Sequence, residues 1–238
     1  EPVKTWVAHG DSVMSVNFSP DSRYMVTGSK DRTVKLWTAD GRLLRTLHGH
    51  RGWVNRVCFS PDGDTIASAS DDGTVRFWNW RGKQLKMIQV SDSYVLGVSF
   101  SPDGKVVATA GYDNKVKLWS RDGVWLDTLL KGTSDSVTDV AFSPDGRLVA
   151  SASYDGYVRI WSTRDGTLLK TLMAHGDSVM ALSFSPDGRI LASASRDQTV
   201  ILWNLDLDDL MRKACDWLRD YLKTNRNLGD RDRQLCRQ

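Results

Sequence analysis

Residues 60–78 read Ser-Pro-Asp-Gly-Asp-Thr-Ile-Ala-Ser-Ala-Ser-Asp-Asp-Gly-Thr-Val-Arg-Phe-Trp. Two turn signals bracket a run of small side chains. In Ser60-Pro61-Asp62-Gly63 the proline fixes φ and the glycine is free to take positive φ. Ile66 to Ser70 is then a short strand. Asp71-Asp72-Gly73 turns it tightly into Thr74–Trp78, where Val75 and Phe77 alternate with Thr74 and Arg76. Upstream, Val54, Val57 and Phe59 are apolar at a step of three and then of two. A period-2 strand that gains one residue in this way carries a β-bulge. Downstream, Leu85–Ile88 reads as a fourth strand, so one unit is a small four-stranded sheet.

The unit repeats. Ser-Pro-Asp begins at Ser19, Ser60, Ser101, Ser143 and Ser185, at intervals of 41, 41, 42 and 42 residues. A tryptophan closes each unit at the same intervals: Trp37, Trp78, Trp119, Trp161 and Trp203. Six residues before each stands an aspartate: Asp31, Asp72, Asp113, Asp155 and Asp197. The bulged pattern recurs at Val13, Val16 and Phe18 and at Val137, Val140 and Phe142. Sheets of four short strands repeating at this period predict an all-β propeller of five blades.

These residues resemble the WD-repeat family of β-propellers over roughly residues 2–204. The resemblance implies a hydrogen-bonded tetrad in each blade. Its tryptophans and turn aspartates are those above, and its hydroxyls fall at Thr27, Ser68, Thr109, Ser151 and Ser193. Its histidines are His9, His50 and His175; Ser91 and Thr133 stand in their place in the third and fourth units, so those networks are shortened. An indole N–H only donates, so once buried it needs an acceptor such as a hydroxyl, which can in turn donate to an imidazole. The aspartate that commonly follows the tryptophan in this family is replaced by Thr38, Asn79, Ser120, Ser162 and Asn204, outside the tetrad. A network of His, Ser or Thr, and Asp invites comparison with a hydrolase triad. Its repetition argues for a structural role, since an active site is normally unique.

The last unit ends at Trp203 without a fourth strand, while Val3-Lys4-Thr5-Trp6 occupies a fourth-strand place before His9. The N-terminal strand is therefore expected to close the last blade, as in ring closure of this family. Five blades could close as a monomer, be cut from a larger propeller, or complete rings by strand exchange. A closed or association-completed ring is favoured over an open arc, because open strand edges invite pairing. From Leu205 the period changes. Leu207, Leu210, Met211, Ala214, Trp217, Leu218, Tyr221 and Leu222 recur at helical spacing, which predicts a helical tail over 205–238. It is expected to pack on the propeller, a partner-binding or oligomerising helix being the alternative. The tail resembles those of bacterial, particularly cyanobacterial, WD-repeat proteins, in which the propeller often follows a signalling domain.

Composition narrows the function. The 238 residues carry 32 basic and 29 acidic side chains, a net charge of +3, with both signs interspersed. This argues against nucleic-acid backbone binding, which needs a clustered basic face. No apolar run approaches the ~20 residues of a membrane span, and no signal-peptide pattern opens the chain at Glu1. Cys58, Cys215 and Cys236 form no CxxC pair; Cys58 aligns with Asn17, Ser99, Ala141 and Ser183 and reads as a packed small residue. A cytoplasmic location is expected. There is no HExxH, GxGxxG or GxxxxGK motif and no metal-spaced His/Cys cluster, so no catalytic residue, metal or cofactor is expected.

The resemblance also places three positions per blade at the rim of the central channel. They are Ser12, Met14 and Lys30; Trp53, Asn55 and Asp71; Tyr94, Leu96 and Tyr112; Ser136, Thr138 and Tyr154; and Ser178, Met180 and Arg196. Whereas tetrad positions barely vary between blades, these differ widely and gather aromatic and flexible apolar groups of the kind that populate interface cores. The expected function is a non-catalytic protein- or peptide-binding platform, the sensing or scaffold portion of a larger signalling protein. The alternative is a small-ligand or nucleic-acid module using the aromatic face. Capping of the channel against water is the bland reading of the same residues.

Overall fold

The computed structural model describes residues 4–129, 135–173 and 175–206. The first blade is β1 (Val13–Phe18), β2 (Tyr24–Ser29), β3 (Val34–Thr38) and β4 (Leu43–Leu47). The second is β5 (Val54–Phe59), β6 (Thr65–Ser70), β7 (Thr74–Asn79) and β8 (Gln84–Gln89). The third is β9 (Val95–Phe100), β10 (Val106–Gly111), β11 (Val116–Ser120) and β12 (Trp125–Thr128). The fourth is β13 (Val137–Phe142), β14 (Leu148–Ser153), β15 (Tyr157–Ser162) and β16 (Leu168–Met173). The last is β17 (Val179–Phe184), β18 (Ile190–Ser195) and β19 (Val200–Asn204). Each blade is an antiparallel meander, as the turn spacing predicts.

The bulges fall where the apolar stepping places them. In the second blade Val54 pairs with Ser70 and Arg56 with Ala69, leaving Asn55 as the extra residue. Met14, Leu96, Thr138 and Met180 are the extra residues of β1, β9, β13 and β17. A bulge re-aims the side chain it carries. Five of the rim residues singled out from the sequence are thus bulge residues.

The core is a series of slabs between blades rather than one central cluster. Val26, Val34 and Leu36 of the first blade pack with Val54, Val57 and Phe59 of the second. Equivalent slabs join the second blade to the third, the third to the fourth, and the fourth to the last. Cys58 packs partly buried against the slab between the second and third blades, where burial pushes its thiol up to about 12. Its place in the slab is that of a packed small residue.

Two expectations are corrected. The closing strand is absent among the described residues: the last sheet has three strands and Lys4 to Trp6 pair with none, while Val3 lies outside them. Trp6 instead lies 5.7 Å from the ring of Trp37, and Lys4 Nζ donates to Asp40 O at 2.8 Å. A Cβ on Gly41 would meet Trp6 at 3.1 Å, just as one on Gly82 would meet Leu47 of β4 at 3.2 Å. The segment therefore sits at the outer-strand station beside the first blade, with no last blade joined to it. The ring itself is open. Innermost strands pack in the pairs β1–β5, β5–β9, β9–β13 and β13–β17, but β17 and β1 form no such pair among the described residues. The helix expected after Leu205 lies outside the described residues, apart from Leu205, which packs against the last slab.

Candidate functional site

Each blade positions its tetrad through strand register. Thr27, Ser68 and Ser193 sit on the second strand, two residues along from the partners of their tryptophans. In the second blade Trp78 Nε1 donates to Ser68 Oγ at 2.9 Å, and Ser68 Oγ lies 2.7 Å from His50 Nε2. His50 Nδ1 is 2.9 Å from Asp72 Oδ2. With the hydroxyl already accepting from the indole, its own hydrogen goes to Nε2, which leaves Nδ1–H to donate to the carboxylate. The first and last blades repeat this with Trp37, Thr27, His9 and Asp31 and with Trp203, Ser193, His175 and Asp197.

The carboxylates are held well below their ordinary range. Burial opposes this for Asp72, but donation from His50, Thr74 and the Arg51 amide outweighs it. For Asp31, burial is likewise overcome by Thr33, the Gly10 amide and His9. Burial also lowers His9, against the pull of Asp31.

The shortened networks keep the indole–hydroxyl bond and set a cation beside the aspartate, although Asp113 Oδ2 is left without a hydrogen-bond donor. Trp119 still donates to Thr109 at 2.9 Å, and Trp161 to Ser151 at 3.0 Å. Where the histidine is missing, a basic residue four positions beyond the turn aspartate pairs with that aspartate. Lys117 lies 2.6 Å from Asp113, and Arg159 lies 2.7 Å from Asp155. Sequence reasoning missed these pairs; a cation also stands four residues after Asp31 and Asp72, at Lys35 and Arg76, where the histidine is present, so its spacing alone does not mark them.

A hydrolase reading fails on access. The hydroxyl of Ser68 belongs to a residue with 0% exposure, and Thr27 and Ser193 are also buried. Both hydrogen-bonding capacities of each are already used, so none can reach a dissolved substrate. Among the described residues no three His, Cys, Asp or Glu side chains gather as metal ligands.

The rim is different. Met14, Lys30, Trp53, Asn55, Asp71, Tyr94, Leu96, Tyr112, Thr138, Tyr154, Met180 and Arg196 all line one cavity of about 360 Å³, joined by Arg56. Ser12, Ser136 and Ser178 do not line it, and Ser136 and Ser178 are buried. Tyr94 meets Tyr112 edge-on at 5.3 Å, and Tyr112 meets Tyr154 at 5.8 Å, a row of rings across three blades. Arg196 lies 5.4 Å over Tyr154, and Lys30 lies 4.2 Å over Trp53, so both cations are braced on aromatic faces. Asn55 Nδ2 bonds Asp71 at 2.7 Å and the Val95 carbonyl at 2.9 Å. Burial, together with the charge of Asp72, pushes the Asp71 carboxyl above its ordinary range.

Beneath the rim lies a feature the sequence reading overlooked. Arg56 of the second blade pairs with Asp139 of the fourth, which is 1% exposed. Asp139 also accepts from the amides of Leu182 and Val140, each at 2.9 Å. Burial pushes the Asp139 carboxyl above its ordinary range, and these three donors oppose that shift. The third blade makes room with Gly97, where a Cβ would meet the Val140 amide at 3.1 Å. A signal was available: Ser15, Arg56, Gly97, Asp139 and Ala181 share one repeat position, and opposite charges break an otherwise small-residue series.

Comparison with known proteins agrees with this geometry. The family described as WD domain, G-beta repeat matches residues 1–38, 41–79, 82–120, 124–162 and 166–204. Nuclear distribution protein nudF of Emericella nidulans is 58% identical over 31 residues, 13% of this chain and 7% of that protein. Target of rapamycin complex subunit LST8-1 of Arabidopsis thaliana is 39% identical over 54 residues, 22% of this chain and 18% of that protein. Transcriptional repressor tup12 of Schizosaccharomyces pombe is 43% identical over 37 residues, 16% of this chain and 6% of that protein. The chain spans less than a fifth of the length of these relatives, and they are eukaryotic, so the bacterial resemblance of the tail finds no support among them. Five matched repeats covering most of the length place the chain in the WD-repeat family.

Proposed function

We propose that this chain is a non-catalytic platform that binds proteins or peptides across its rim cavity. The observation that carries this reading is the separation of roles. Side chains repeated in every blade are buried in networks, whereas those that differ converge on one open cavity. Half-exposed Trp53, Tyr94 and Tyr112 offer large, rigid, amphipathic area at little entropic cost. Lys30, Arg196 and Asp71 add charges of both signs, which suits an extended segment with mixed polar groups. Relatives named as a complex subunit and a transcriptional repressor support a scaffold role, and we extend it to the sensing or scaffold portion of a larger cytoplasmic signalling protein.

The test is selection of peptides from a random library on the wild-type chain, followed by calorimetry with Trp53→Ala/Tyr112→Ala. Loss of the two aromatic anchors is expected to weaken the selected peptides by about 30-fold or more. Peptides that bind the double variant unchanged would place recognition elsewhere. A single-stranded oligonucleotide or small ligand held more tightly than any selected peptide would favour the other use of this aromatic face.

A further inference from the structure

A second cavity, of about 330 Å³, opens between the first two blades, on the edge opposite the rim. The β1–β2 and β5–β6 turns line it, together with half-exposed Trp80 just beyond β7. The repeat shows what belongs at this station. Trp80 stands two residues after the tryptophan of its blade, where the third blade has Arg121. Arg121 reaches back to the second blade, donating from Nη1 to Asp62 at 2.5 Å and from Nη2 to Thr65 at 2.7 Å. One junction earlier the counterparts of Asp62 and Thr65 are Asp21 and Tyr24, and both line the cavity with Trp80. Trp80 thus brings a flat apolar face to this station and no positive charge. The charge around it is unbalanced. Asp64 breaks a basic series, since Arg23, Lys105, Arg147 and Arg189 hold its place in the other blades. Among the described residues no cation pairs with Asp64. Arg23, the cation of the lining, lies 3.8 Å from Asp21 with most of its side chain in solvent.

We propose that this cavity receives an arginine side chain of a partner protein, at a site separate from the rim. The planar guanidinium stacks on the Trp80 indole and is held by the carboxylates of Asp21 and Asp64. Contacts within the chain already show each half of this arrangement. Arg121 is held by Asp62, and Arg81 lies 5.1 Å over the Trp80 ring. The rim does not suit the same group, because its lining sets Lys30, Arg56 and Arg196 against Asp71 alone. A small metabolite is the poorer match: Asp21, Asp64 and Trp80 are all exposed, whereas sites for small ligands bury most of the ligand. A side chain anchored by the rest of its own protein needs no such enclosure.

NMR titration of the full chain tests this with a capped peptide of glycine and serine carrying one central arginine. The peptide is expected to shift the Trp80 indole N–H and the amides of Asp21 and Asp64, with a dissociation constant on the order of 1 mM. The same peptide with citrulline, which keeps the shape and loses the charge, should bind at least about 5-fold more weakly. Asp21→Asn/Asp64→Asn keeps the turn acceptors and should weaken the arginine peptide by about 10-fold. Trp80→Arg repeats the arrangement of Arg121 within the chain, so it should fill the cavity and abolish the shifts at Asp21 and Asp64. If that variant alters the fold, the asparagine pair, at exposed positions, decides. Free arginine brings its own carboxylate to the two aspartates and should bind more weakly than the peptide; tighter binding would make the occupant a metabolite and overturn the assignment to a partner protein. Trp53→Ala/Tyr112→Ala should leave the titration unchanged, which keeps this site distinct from the rim whatever the rim binds. The proposal is also overturned by unshifted Trp80 and Asp64 signals up to about 20 mM peptide, by citrulline binding equally well, or by a titration that only the rim variant abolishes.

Discussion

The second and last blades share the Ser-Pro-Asp-Gly turn, an Ala-Ser-Ala-Ser strand and the same tetrad, yet they live in different surroundings. Thr65-Ile-Ala-Ser-Ala-Ser70 in one matches Ile190-Leu-Ala-Ser-Ala-Ser195 in the other. His50–Asp72 and His175–Asp197 are both 2.9 Å, and both indoles reach their serines at 2.9 Å. Around these matched networks, Val75 and Phe77 are 0% and 2% exposed, whereas Val200 and Leu202 are 66% exposed. The polar network is therefore a property of one blade, while burial of the apolar face belongs to a pair of blades. A blade can be locally complete and still unfinished.

The largest break of this comparison is expected from truncating the apolar faces. Phe77→Ala opens a cavity in a slab and should cost about 3–5 kcal/mol, whereas Leu202→Ala should lie within roughly 0.5 kcal/mol of wild type. Denaturant unfolding of both variants measures the difference. Equal costs would mean that the last face is covered.

A second effect comes from acid. Asp31, Asp72 and Asp197 all have folded pKa values below their unfolded value of 3.8. Their contribution is present above that value and is lost as pH falls through the folded values. Lowering His9 acts in the same direction at higher pH: the folded state favours the neutral ring, so stability begins to decline as pH drops through 6.5. Thermal melts between pH 7 and 2 should show a falling midpoint. Asp72→Asn should be less stable at pH 7 but lose less on acidification, and parallel curves for the two proteins would refute this assignment.

The smallest effect sharpens the comparison at a turn. Gly73 takes φ +78° in the second blade, and a Cβ there would meet the Ser91 carbonyl at 2.3 Å. Its counterpart Gln198 holds nearly the same conformation at φ 71° despite its side chain. Gln198→Gly should relieve that strain and stabilise the chain by about 0.5–1 kcal/mol in denaturant titrations, while Gly73→Ala should destabilise it. A destabilised Gln198→Gly would show that its side chain contributes more than the backbone loses.

Much of the architecture was legible from residue spacing because its causes are local. Ser-Pro-Asp turns, the three-then-two apolar step and the Trp/Asp interval report strands, bulges and tetrads within one unit. The rim residues were legible through variation between units, and their meeting in one cavity follows from the bulges that aim them. Arg56–Asp139 was harder to read, because it joins blades two apart across a channel. Only the curvature of the arc, together with the room left at Gly97, brings those charges into contact. The cations Lys117 and Arg159 were visible but unassigned, since their role appears only where a histidine is missing.

The open ring marks the boundary between the two kinds of knowledge. Five inner triplets and five outer strands balance by count, yet Lys4 to Trp6 form no strand with the last sheet, and Val3 lies outside the described residues. Whether five blades close depends on the wedge between neighbours, which is the sum of many side-chain volumes across the slabs and leaves no periodic trace. The amino-acid sequence by itself determined the blade, its turns and its buried network, because these are short-range hydrogen bonding and alternation. The tertiary structure alone decided that the first and last blades do not meet, and so left an apolar face exposed on each.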